Sequence, residues 1–306
     1  MSRTGIDTDP RHDGASSGPE RRGSAATLRG MRVYISVDME GIAGVTHPDS
    51  TGRGEPGFER NVALMVGETN AAIEGALAGG ADAVVVNDSH GDMYNLPPAE
   101  VHPKATLIQG TKALSMVEGA AEGRFDVALF VGYHARAGHP RGTIAHTYTG
   151  APTLTTLAGR PVPEAGLNAM YLGALGIPVA MVAGDDALAE EIADWLPWAE
   201  SIVVKRAVSR HAAESVHPTE AAARIRAGAE RAVRRAAGKG AELQPLRIDP
   251  PIEVGIEFHR ALQADWAAVI PGVSRVGDRG IRYSSNDPIE AYRGFLAAMR
   301  LGSSIP

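Results

Sequence analysis

Two acids one residue apart close the stretch "VYISVDMEG", Val33 to Gly41: Asp38 and Glu40. The residues before them read as a buried strand. Alternate residues of an extended chain point the same way, so the two carboxylates are expected to face one point. Like charges at one point repel unless a cation lies between them. Further along, "VVVNDSHG" carries Asp88 and His90, and "LFVGYHARAG" carries His134, each at the end of an apolar run. The chain has no cysteine, so any metal must be held by oxygen and imidazole nitrogen. That donor set suits zinc or another first-row divalent ion. Four or five such ligands exceed what one catalytic zinc with an open position needs. A pair of ions bridged by one carboxylate accounts for the excess, and Asp38 is the natural bridge. The alternative is a polar crevice that closes on itself through Asp–His hydrogen bonds. Asp88 is expected to stand behind the ligands and orient His90.

Two further residues stand apart. His146, in "TIAHTYTG", follows His134 across the loop "ARAGHPRG", which is too polar for a core. Glu164, in "RPVPEAGLNAMY", opens a helical pattern, where an acid also suits the helix dipole. His139 lies in the same loop as His146 without a partner pattern. His47, His102, His211, His217 and His259 read as incidental.

The elements that must position these groups follow from four apolar, β-branched runs: residues 32 to 38, 81 to 91, 125 to 138 and 178 to 186. Continuous apolar runs indicate strands buried on both faces, as in a parallel sheet. Helical patterns separate them, including 59 to 80 and 165 to 176. The expected fold is therefore α/β, a mostly parallel sheet flanked by helices. In such folds the working site lies beyond the carboxyl ends of the strands, which is where Asp38, Glu40, His90 and His134 fall. After residue 200 come a further strand "SIVVKRAVS", an Ala- and Arg-rich helix from Pro218 to Ala237 and a linker, "GKGAELQPLRIDPP". The Arg stripe of that helix reads as a solvated face. A strand, a helix, a second strand "GDRGIRYSS" and a last helix complete the chain. The expected division is a disordered tail over 1–30, a metal-binding catalytic α/β region over 31–240, and a C-terminal α/β segment over 241–306 that contributes to a second, smaller lobe.

Composition narrows the function. The 306 residues are enough for a sizeable core, and a formal net charge of −6 offers no basic field for a nucleic-acid backbone. No run of about 18 apolar residues is present to span a membrane. Residues 1 to 30 are rich in Gly, Ser, Arg and Asp and poor in large apolar groups. The Arg21–Arg22 pair lacks the hydrophobic segment that an export signal needs, so the expected location is cytoplasmic.

Taken together, "YISVDMEGIAG", "VVVNDSHGDMYNL", "SMVEGA", "LFVGYHARAG", "HTY", "VPEAGLNAMYLGALGIPVAMVAGDD" and "VKRAVSR" resemble the DppA-type D-aminopeptidase family, zinc metallopeptidases of the M55 group. The likeness runs from about residue 31 to 300. It implies a two-domain α/β subunit in a ten-subunit ring, whose channel encloses dinuclear zinc sites that release N-terminal D-amino acids from short peptides. Matched residue by residue, the resemblance implies Asp38, Glu40, His90, His134 and Glu164 as zinc ligands, with Asp38 bridging, and His146 as the catalytic residue. The chain departs from the family pattern at Ala145, where Ser is common, in a longer His134–His146 loop, and around "GAPTLTTLAG". The expected function is thus a two-zinc aminopeptidase acting on short peptides and assembling as a homo-oligomer. The alternatives are an amidohydrolase acting on a non-peptide amide and a metal-binding assembly subunit without activity.

Overall fold

Strand β1 (Arg32–Val37) is buried on both faces from Val33 onward, with Ser36 its one buried polar residue. Val33, Ile35 and Val37 point to one cluster, and Tyr34 to another. The structure, a computed structural model, describes residues 30–238 and 242–305. Residues 1–29 of the expected tail, and 239–241 of the expected linker, lie outside the described residues.

After β1 come α1 (Phe58–Ala78), β2 (Ala83–Asp88), β3 (Ala105–Ile108), the single turn α2 (Ala120–Gly123) and β4 (Val127–Tyr133). Next are β5 (Pro152–Leu157), β6 (Arg160–Pro161), α3 (Glu164–Ala174), β7 (Val179–Asp185) and α4 (Asp186–Ala193). The rest comprises β8 (Glu200–Ser209), β9 (Ala212–Ser215), α5 (Pro218–Ala237), β10 (Ile252–Phe258), α6 (Ala261–Ala267), β11 (Ser274–Val276), β12 (Gly280–Ser285) and α7 (Pro288–Ser303).

One sheet has the order β3-β2-β1-β4-β7-β8-β9. It is parallel from β3 to β8, with β9 added as an antiparallel hairpin on β8. The chain leaves β1 for β2 and β3 on one side, then returns to β4 on the other. The strand order therefore reverses between β1 and β4, and the reversal opens a crevice at their carboxyl ends. Helices α1 and α5 cover one face and cross closely: a Cβ on Gly75 would lie 2.2 Å from the Arg226 carbonyl oxygen. Helix α3 and the second unit cover the other face.

The second sheet has the order β11-β12-β10-β5-β6 and is antiparallel. Strand β10 alternates, burying Ile252, Val254, Ile256 and Phe258 against α6 and α7, while Glu253 and Glu257 stay partly exposed. The sequence signals had not marked β5 and β6, because "TLTTLAG" is short and half polar. β5 pairs with β10 and β6 with β5, so this unit draws on residues 152–161 as well as on the C-terminal stretch. Among the described residues no helix is long and apolar enough to cross a membrane.

Candidate metal centre

β1 ends at Val37, so Asp38 and Glu40 occupy the turn beyond it and not the strand itself. The expectation that strand alternation aims both acids at one point is corrected: the turn aims them. Asp38 N–H donates to the Val131 carbonyl at 2.9 Å, and Gly41 N–H to the Gly132 carbonyl at 2.7 Å. The turn thus lies against the end of β4. Only glycine allows that approach, since a Cβ on Gly41 would sit 1.9 Å from the Tyr133 oxygen. Gly132, at φ 70°, would place one 2.1 Å from the Asp38 oxygen.

From beneath, Lys205 of β8 donates its ammonium to the carbonyls of Glu40, Ile42 (3.1 Å) and Val45 (2.6 Å). Lys205 is 1% exposed. Burial lowers its pKa to about 8, against the opposing pull of Asp185, Glu68, Glu40 and Asp38. No role had been assigned to it from the sequence. The available signal was a single lysine between Val204 and Ala207, both buried strand residues.

The histidines are oriented by backbone carbonyls. A carbonyl can only accept, so the imidazole nitrogen facing it carries the hydrogen. His90 donates from Nε2 to the Thr51 carbonyl at 2.8 Å, and its Nδ1 faces Glu40 Oε2 at 2.9 Å and Asp38 Oδ1 at 3.2 Å. His134 donates from Nδ1 to the Ala135 carbonyl at 2.9 Å, and its Nε2 lies 3.4 Å from Asp38 Oδ2 and 3.5 Å from Glu164 Oε1. His146 donates from Nδ1 to the Ile144 carbonyl at 2.8 Å and turns Nε2 toward Glu164 Oε1 at 4.0 Å. Each imidazole in its neutral form therefore aims a lone pair at carboxylate oxygens.

The loop carrying His146 is tied at both flanks. Thr143 N–H donates to Asp185 at the end of β7 at 2.8 Å, and Ile144 N–H donates to the Arg210 carbonyl at 2.7 Å. Ile144 holds φ 52°, a costly value for a β-branched residue, and its carbonyl is the one that orients His146. Glu164 opens α3, and its Oε1 accepts the Tyr148 N–H at 2.5 Å.

Asp88 does not orient His90 directly. Its carboxylate accepts the N–H groups of Asn95 (2.6 Å) and Leu96 (2.8 Å) and the Asn95 side chain, which also donates to the His90 carbonyl. Asp88 therefore shapes the turn after β2, and its influence on His90 passes through Asn95. Several other histidines prove to be local caps: His47 for Asp49, His102 for Lys104, His139 for Gly142 and His217 for Thr219. His47 caps the short turn Pro48–Ser50 that leads into Thr51, the carbonyl partner of His90.

The electrostatics calls for positive charge. Burial opposes an imidazolium at His90, yet Glu40 and Asp38 outweigh it and raise the pKa well above the ordinary value. The same contest at His134, against Glu164, Asp38 and Glu40, ends at about 10. For Glu40, burial pushes upward but His90 prevails and holds it well below the carboxylate range. Glu164 is raised to about 7 by burial, and His146 is lowered to about 4 by burial and by the neighbouring His134.

Two groups of ligand atoms form, Asp38–Glu40–His90 and His134–His146–Glu164, each with its atoms within 4.8 Å of one another. Asp38 offers Oδ1 to the first and Oδ2 to the second. His134 Nε2 is buried and lacks a hydrogen-bond partner, which in a protein interior calls for an explanation. Carboxylate and imidazole donors around an orphaned nitrogen fit zinc. The cavity above them, about 410 Å³, is lined by Asp38, Glu40, His90, His146 and Glu164, by Tyr148 and Thr149, and by Met299 and Arg300 of α7.

Known proteins resemble this chain in sequence and in fold. The sequence pattern of the peptidase M55 family, described as D-aminopeptidase, matches residues 31–297. A D-aminopeptidase of Bacillus subtilis (strain 168) is 37% identical over 273 residues, covering 89% of this chain and 97% of the relative. A solved structure described as a Zn-dependent D-aminopeptidase DppA from Bacillus subtilis, a self-compartmentalizing protease, superposes with a TM-score of 0.82 at 36% identity. That superposition covers 89% of this chain and 98% of the other.

Proposed function

The chain belongs to the M55 D-aminopeptidase family, and from that premise we propose that it is a two-zinc aminopeptidase that releases N-terminal D-amino acids from short peptides. The observation that carries the reading is Asp38, whose two carboxylate oxygens each face a different ligand group, one of them containing the unpartnered His134 Nε2. In this reading Asp38, Glu40 and His90 hold one zinc and Asp38, His134 and Glu164 the other. Bound zinc would supply Lewis acidity that polarises the scissile carbonyl and stabilises the negative charge developing on its oxygen.

The chain's own residues supply the rest. His146, 20% exposed and neutral by its lowered pKa, is the imidazole positioned to attack or to move a proton at Nε2. Its N–H is fixed on the Ile144 carbonyl, so the free nitrogen is the one facing the cavity group. In this reading an acid in the pocket, or Asp38 itself, accepts a hydrogen bond from the substrate's free amine, which makes the reaction an exopeptidase one. Assembly into a closed ring, as the relative described as self-compartmentalizing suggests, would restrict access to short peptides.

The test is elemental analysis of protein purified without chelator, with hydrolysis assays on D- and L-aminoacyl amides and light scattering. About two zinc ions per chain, D-selective hydrolysis and a mass many times 32.0 kDa are expected. Asp38→Ala should lose both ions; loss of one alone would make Asp38 a terminal ligand. Hydrolysis of amides other than aminoacyl ones would favour the non-peptide amidohydrolase.

A further inference from the structure

The cavity above the ligand groups contains one Lys or Arg side chain among its lining residues, Arg300 near the C-terminal end of α7. Its guanidinium spends one N–H on the Lys112 carbonyl at 2.9 Å. Among the described residues no carboxylate lies within ion-pair distance of it, unlike Arg136, Arg141, Arg231, Arg275 and Arg279, which all have acidic partners. A guanidinium has five N–H donors in a planar fork that matches a carboxylate. Arg300 is exposed, and its remaining donors are available to a ligand in a cavity also lined by Asp38, Glu40, His90, His146 and Glu164.

We propose that Arg300 is a specificity-determining residue that binds the free C-terminal carboxylate of the substrate. The proposal rests on the peptidase reading above and deepens it. A short peptide at neutral pH carries a free carboxylate, and the planar donor fork of Arg300 matches it. The volume of about 410 Å³ is at the small end of ligand cavities, which suits a short substrate whose carboxylate stays within the cavity. Arg300 also occupies the last turn of α7, where a cation suits the helix dipole, but that role would be indifferent to charge on the substrate.

The test compares D-alanylglycine with D-alanylglycinamide, which differ in C-terminal charge, on zinc-loaded wild type, Arg300→Met and Arg300→Lys. In Arg300→Met, kcat/KM for the free acid should fall about 10- to 100-fold, mainly through KM, as expected for loss of a charge-assisted pair. The amide should change by about twofold or less, and Arg300→Lys should recover part of the loss. Equal falls for both substrates, or none for the acid, would overturn the proposal. Calorimetric binding of the reduced-amide analogues of both peptides separates the two readings. If wild type hydrolyses neither peptide, the peptidase function fails. Tighter binding of the acid analogue that Arg300→Met abolishes still establishes the anchor, whereas equal binding of the two analogues overturns it.

Discussion

His134 and His146 stack face to face, with ring centroids 4.2 Å apart and planes 10° from parallel, yet their chemical situations are opposite. His134 is 1% exposed and is pushed up to about 10 by the acids around it, in spite of burial. His146 is more open and is pushed down to about 4 by burial and by His134. Two stacked imidazoles cannot both be cationic without repulsion, so charge is concentrated on the ring nearer Asp38 and Glu164.

Replacing each ring by alanine should separate their roles. His146→Ala is expected to keep its zinc and lose hydrolysis by roughly 10²-fold or more. His134→Ala should bind zinc more weakly and regain part of its activity in excess zinc. Zinc content measured beside turnover decides. If His146→Ala loses metal and is rescued by zinc, His146 is a ligand, an outcome that its place in the second ligand group makes worth testing.

Lys205 should matter to the acids it never touches by side chain. Lys205→Met leaves the carbonyls of Glu40, Ile42 and Val45 without their buried donor, at about 1–3 kcal/mol for each unsatisfied group. The expected outcome is a lower unfolding temperature together with weaker zinc binding, because the turn carrying Asp38 and Glu40 loosens. Zinc affinity unchanged in a destabilised variant would show that the lysine supports the fold alone.

Glu68 gives the fold a pH dependence. Its Oε1 accepts the Ala43 N–H at 2.8 Å, its Oε2 is buried without a partner, and burial raises its pKa from 4.5 to about 7. The folded state therefore holds a proton that the unfolded state releases between these values. This group's contribution is full below about pH 4.5 and declines as pH rises, by up to about 3 kcal/mol above pH 7. Denaturant unfolding at pH 5 and pH 8 should show that decline in wild type and a smaller one in Glu68→Gln. Identical pH dependence in the two proteins would count against the assignment.

Residue type and local burial were readable in the sequence. Four apolar runs marked β1, β2, β4 and β7 as doubly buried strands, and acids or histidines at the ends of the first three pointed to one edge of a parallel sheet. Hydrophobic periodicity reports the environment of one segment at a time, and in these strands that environment is uniform. Convergence of side chains is a property of several segments together. The aim of Asp38 and Glu40 came from a turn held by Gly41, Gly132 and Lys205, contacts separated by up to 165 positions in sequence. Glu164 meets His134 because the start of α3 packs beside the end of β4, and its family match named it where spacing could not. Asp88 looked like a partner of His90 by proximity, but its carboxylate was taken by the turn at Asn95 and Leu96. β5 and β6 were silent in sequence because antiparallel partners, β10 for β5 and β5 for β6, supply their hydrogen bonds without demanding an apolar run. Arg300 entered the cavity only through the docking of α7 near Lys112. Sequence thus determined which chemical groups the chain carries and roughly which strands bear them; the tertiary structure decided which atoms face one another, because distances between remote segments depend on register, close glycine contacts and buried donors that no single segment encodes.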